Sequence, residues 1–177
     1  MVENALAPAL NYIIEKNIAD MIGYAFQIYA LFVANSTSLS QNYKVLTESI
    51  LANQANWDKD MRYLIPALAN FLIAMIYKYP EFFSADGGKM NSLQQIVKHL
   101  MQPDIRMETT AMSIAGAIFE KLALLGGMTE EFLNAFLFSL FSCLHFYRNN
   151  TKTKLIPVTI SKSIWSCLAT FVVHNGT

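Results

Sequence analysis

Apolar helical stretches return in pairs roughly every 40 residues along this chain, and that period limits the fold more than any single motif does. Four pairs take up nearly all of the 177 residues, in approximate units 1–36, 37–85, 86–127 and 128–177. One pair cannot bury its apolar face alone, so neighbouring pairs must stack into a shared core. The expectation is a single all-α segment of antiparallel helix pairs joined by short links. A stack of this kind offers surface to other macromolecules and encloses no small cleft, which points toward binding.

The stripes are readable residue by residue. Leu6, Leu10, Ile13 and Ile14 share one face of a first helix from about Asn4 to Glu15, with Pro8 expected in its first turn, where a missing N–H does no harm. Ile18, Met21, Ile22, Ala25, Tyr29, Phe32 and Val33 line a second, ended by the turn formers Asn35-Ser36-Thr37-Ser38. Ser40 is a good N-cap for a third helix displaying Tyr43, Leu46 and Ile50. Its partner, from about Asp60 to Tyr77, contains Pro66, which predicts a kink or a late start. Ser84 to Lys89 reads as the longest loop, before helices at about Ser92–Gln102 and Ile105–Leu124 that end at Gly126-Gly127. Thr129 caps the next helix, with Glu130 and Glu131 in its positive first turn and Met128 and Leu133 placed for a hydrophobic staple. A last helix spans about Lys154 to Val173 with Pro157 in its first turn. Sustained strand alternation is absent.

Composition narrows the function classes. Hydrophobic residues make up 54% and charged residues 15%, so the chain has ample apolar surface to offset the entropy of ordering. The formal net charge is zero, which argues against a nucleic-acid binder built on a broad basic field. No basic segment followed by an apolar run opens the chain, so no signal peptide is expected. The best membrane candidate, Phe132 to Tyr147, is about 16 residues with Asn134 and His145 inside it, short of the ~20 apolar residues a bilayer needs. Membrane insertion is therefore not expected. Cys143 and Cys167 are too few for a disulfide scaffold and read as reduced, buried thiols.

Catalytic patterns do not emerge. His99, His145 and His174 are far apart and form no metal-binding pair. Cys143 and His145, two apart, point to different faces of a helix. Asp86-Gly87-Gly88-Lys89 lacks the strand before it, and Met90 replaces the hydroxyl a phosphate loop needs. Asp58 with Asp60, and Glu130 with Glu131, sit at helix starts where acids are favoured. The chain is expected to be neither an enzyme nor a cofactor protein. Arg148, Lys152 and Lys154 cluster around the turn before the last helix. They are either a solvated turn or an electrostatic contact to an acidic partner surface.

Taken in order, the residues resemble the CAS/CSE family of nuclear exportins, the importin-α re-exporters of the karyopherin-β superfamily. The pattern Leu6-x-Pro8 followed by Tyr24-x-Phe26-Gln27, within the stretch from Leu6 to Phe32, looks like the late repeats of that family. Tyr43-Lys44-Val45-Leu46, Ile50-Leu51, Trp57 and Ile65-Pro66-Ala67-Leu68 continue it in register, and Thr151-Lys152-Thr153-Lys154 is similar to a turn in the same region. The likeness is weakest around Phe82–Asn91.

The resemblance implies a HEAT-repeat α-solenoid, with this chain a segment of the C-terminal half of a much longer superhelix. It implies importin-α and Ran in its GTP state as partners, bound together in the nucleus and released in the cytoplasm, by a protein that shuttles between the two. Two rivals from the residues alone are a free-standing helical-repeat scaffold and a small helical membrane- or lipid-binding protein. The last helix adds Val158, Trp165, Phe171 and Val173 to its apolar face, wider than one neighbour needs. An exposed apolar surface at that end, as in a cut from a longer array, is therefore expected.

Overall fold

The computed structural model describes residues 2–53, 64–100, 109–125 and 129–150, with Lys162, Trp165, Ser166, Leu168, Ala169, Val172 and Val173 beyond them. Among the described residues the chain is all-α, with no strand: a HEAT-like run of helices. In chain order these are α1 (Val2–Glu15), α2 (Ala19–Asn35), α3 (Gln41–Ala52), α4 (Ile65–Lys78), α5 (Pro80–Ser84), α6 (Gly87–Leu100), α7 (Thr109–Leu124) and α8 (Glu130–Asn150). They divide into two compact units, Met1–Pro80 and Glu81–Thr177.

In the first unit α2 packs chiefly on α4, α1 lies on α2 and α3 on α4. The α2–α4 seam is aromatic: Phe26 and Phe71 stand 5.9 Å apart, and Tyr29 meets Phe71 and Tyr43 edge-on at 6.5 Å each. Such tilted and edge-on rings add to the area they bury. The turn between α1 and α2 closes without glycine. Asn17 takes a left-handed φ of 48°, its N–H donates to Ile14 O at 3.1 Å, and the Ile18 N–H donates to Ile13 O at 3.1 Å. That is a Schellman closure, with asparagine where glycine is commonest. At the other end of α2 the Ser36 hydroxyl donates to Val33 O at 2.6 Å and also bonds the Tyr79 hydroxyl, tying this helix to the end of α4.

In the second unit α6 packs on α7 and α8. Phe119 on α7 stacks on Phe136 of α8, with centroids 4.0 Å apart and planes 9° from parallel, and Phe132 tilts against both at 6.1 Å. Leu93, Ile96, Val97 and Leu100 of α6 are fully buried.

Several expected helix starts are as anticipated. Ser40 Oγ accepts from the Tyr43 N–H at 3.3 Å, Thr129 Oγ1 accepts from the Phe132 N–H at 3.2 Å, and α4 starts late, at Ile65, with Pro66 in its first turn. Pro8 differs from expectation. The helix begins at Val2, so Pro8 lies inside α1, where the bond it forgoes would have gone only to Asn4 near the helix end. The loop expected over Ser84–Lys89 is also mostly helical. Pro80 opens the short α5, and Asp86 starts α6 at Gly87 by accepting the Gly88 N–H on Oδ1 at 2.9 Å. The expected breaks at Gln102–Ile105 and at Gly126-Gly127, the staple residue Met128, and the acids Asp58 and Asp60 lie outside the described residues.

Candidate partner-binding surfaces

The first unit is held by a closed polar triangle that sequence periodicity does not disclose. Tyr29 is fully buried on α2, and its hydroxyl donates to Asn11 Oδ1 of α1 at 2.6 Å. Asn42 of α3 donates Nδ2–H to the Tyr29 oxygen at 2.9 Å and accepts from Asn11 Nδ2 at 3.1 Å. Three helices thus meet at one satisfied network, which fixes their register as apolar contact alone does not. Burial pushes the Tyr29 pKa up against the opposing pull of Asn42. Among the described residues the buried Tyr43 hydroxyl has no partner that meets hydrogen-bond geometry. Burial first, and then the neighbouring Glu3 carboxylate, push its pKa well above the ordinary phenol value.

At the start of α6, Lys89 Nζ reaches Asp86 Oδ2 at 3.0 Å and lies 4.3 Å from the centre of the Phe82 ring. Lys89 and the Gly88 N–H hold the Asp86 carboxyl below its usual range. The cluster is a helix cap with its counter-charge, and the Gly87-Gly88 pair forms the first turn of a helix, with no cradle for phosphate.

Of the expected partner contacts, Arg148 falls within α8, while its side chain and all of Lys152 and Lys154 lie outside the described residues. His145 is exposed, and its Nε2 pairs with Asn149 Nδ2 at 2.9 Å. Among the described residues no three His, Cys, Asp or Glu side chains gather as a metal site, and no helix is long and apolar enough to cross a membrane.

What the surface does carry is uncovered aromatic and aliphatic side chains. Tyr24 and Leu31 on α2 are 66% and 64% exposed, Phe138 and Phe141 on α8 are 74% and 58%, and Trp165 is 68%. Val173 is exposed as well, as the width of the last stripe leads one to expect, whereas Val172, which falls on the inner apolar face of that helix by spacing, is exposed too; Phe171 lies outside the described residues. Sequence periodicity assigned Met21 to an inner face, yet it is 48% exposed. It sits beside Tyr24 on the side of α2 away from the seam with α4, whose buried positions are Ile22, Ala25, Phe26, Tyr29 and Val33.

Neither the curated proteins nor the solved structures gave a match to this chain. The family described as CAS/CSE protein, C-terminus, matches residues 1–166. With its HEAT-like helices and a match over nearly its whole length, the chain belongs to the CAS/CSE family of exportin-type karyopherins.

Proposed function

We propose that this chain is the part of an importin-α re-exporter that embraces cargo, binding importin-α together with RanGTP in the nucleus and giving both up in the cytoplasm. The match of residues 1–166 to the C-terminal part of the CAS/CSE family carries the reading. Stacked helix pairs with small pair-to-pair contacts change curvature at modest cost. Two ligands that favour the same curvature then bind with positive and reciprocal coupling. In this role the chain has no catalytic step and no cofactor; its work is done by exposed side chains on a stack of helices.

The contact is weak for this chain alone and strong in a full-length exportin, because separated contacts reinforce one another through effective concentration. Pull-downs of importin-α with a full-length exportin containing this chain, in the presence of RanGTP or RanGDP, test the proposal. Retention that rises with RanGTP is the expected result. Retention indifferent to the nucleotide excludes the export role and leaves the helical scaffold. The basic residues Arg148, Lys152 and Lys154 are part of the proposed contact, meeting an acidic patch on the partner.

A further inference from the structure

The turn between α1 and α2 is held closed at a single residue. Asn17 sits in the left-handed region at φ 48°, a position unfavourable to any residue but glycine, and Ile18 after it gives α2 no side-chain cap. The N–H groups of Ala19 and Asp20, in the first turn of α2, therefore have no intrahelical acceptor. No glycine or proline stands between Glu15 and Ile22, so nothing in the link forbids a helix. Returning Asn17 to right-handed backbone would make one helix from Val2 to Asn35, about 50 Å long. The Asn17 and Ile18 N–H groups, which now donate to Ile14 O and Ile13 O, would exchange those acceptors. Ala19 and Asp20 would gain the carbonyls of Glu15 and Lys16.

A second, separate observation is how lightly α1 is held. Of its described residues only Leu10 is buried, whereas α2 buries five side chains and α4 eight. Beyond Leu10 it holds on through Asn11, whose amide accepts from Tyr29 and donates to Asn42. Those partners lie on α2 and α3, so the α1 of another copy meets the same seat. The two helices are also of similar length, 14 and 17 residues. Two straightened helices set antiparallel, meeting near Asn17, would place each α1 on the α2 of the other copy.

We propose that this chain forms a dimer by exchanging α1, each copy's α1 seated on the other's α2 and α3, with Asn17 as the hinge. The exchange keeps the contacts of α1, so the balance is decided by the hinge and by the loss of a tethered partner. The tether holds α1 at a local concentration in the millimolar range, and the closed chain prevails below it. The proposal rests on the α1–α2 turn and stands apart from the export role.

The test is to refold the full chain from denaturant at millimolar and at micromolar concentration. The concentrated sample, once diluted to micromolar, should retain a dimer in sedimentation velocity, because separation requires α1 to undock. Association through exposed apolar side chains reverses on dilution instead. Hydrogen exchange across residues 17–20 should be at least about tenfold slower in the isolated dimer than in the monomer, the mark of a helix running through the turn. Asn17→Ala favours the straight helix and Asn17→Gly the closed turn. Their dimer dissociation constants should differ by about a hundredfold or more, because two hinges count in each dimer. No dimer surviving dilution from either the wild type or Asn17→Ala would overturn the proposal. So would hinge amides as open in the dimer as in the monomer, or equal dimer yields from the two variants.

Discussion

Tyr29 and Tyr43 are both fully buried and 6.5 Å apart, yet they test opposite sides of hydrogen-bond energetics. The Tyr29 hydroxyl serves Asn11 and Asn42 at once, so Tyr29→Phe strips a donor from one half-buried amide and an acceptor from another. Denaturant titration should show a loss of about 1–2 kcal/mol, the usual cost of leaving such groups unpaired. Tyr43→Phe removes a hydroxyl that has no hydrogen-bond partner among the described residues, and the same titration should find it neutral or stabilising. The pair also sets an alkaline limit. Both phenols are raised above 10.0, so between that value and their folded pKa the folded state holds protons the unfolded chain has lost. Stability is then fully present below about pH 10 and falls as pH rises past it, by linkage. Replacing Tyr43 with Phe should flatten that decline, and an unchanged alkaline slope would show that Tyr43 does not titrate with unfolding.

At the scale of elements, the chain turns on caps that are local and therefore testable one at a time. Asn17 occupies a left-handed position, so Asn17→Gly should be tolerated, while Asn17→Ala should cost about 1 kcal/mol in a thermal melt. Asp86 is exposed, and its depressed pKa gives support to α6 that is present above the ordinary carboxylate range and fades as pH falls through the folded value. Amide exchange at Gly88 should quicken below that point, less so in high salt. These caps also show how much was legible beforehand. Ser40, Thr129 and Pro66 are signals whose physics is complete within four residues, and helix starts followed them. The Ser84–Lys89 stretch reads as a loop because glycine pairs usually mark loops, whereas in the fold the Asp86 side chain caps a helix through the Gly88 N–H and Lys89. The Asn11–Tyr29–Asn42 triangle spans 31 residues, and helical periodicity holds no record of so distant a pairing. Exposure of Tyr24 was equally hidden, since the spacing of an aromatic residue on an apolar helix does not say which of two faces meets a neighbour.

For the molecule as a whole, the surface is better suited to company than to solitude. Charged residues are 15% of the chain, while Phe138 and Phe141 on α8 and Trp165, Val172 and Val173 beyond it stand more than half exposed. Trp165, Leu168, Ala169 and Val172 are spaced as one helical stripe, and Leu168 is the only one of the four that is even partly covered. An apolar row of that kind, with few charges around it and no net charge on the chain to keep copies apart, favours association through the hydrophobic effect. The chain on its own should therefore self-associate with rising concentration in sedimentation velocity, most strongly near its isoelectric point of about 6.8. Trp165→Lys together with Val172→Glu should return it to a monomer without lowering its melting temperature, because neither side chain is buried within the fold. Each exposed apolar side chain covered by a neighbour is worth about 1.5–3 kcal/mol, so two replacements suffice to shift a micromolar association out of range. If the double variant instead melts lower and stays associated, those two residues belong to an interior, and the last apolar stripe closes the fold.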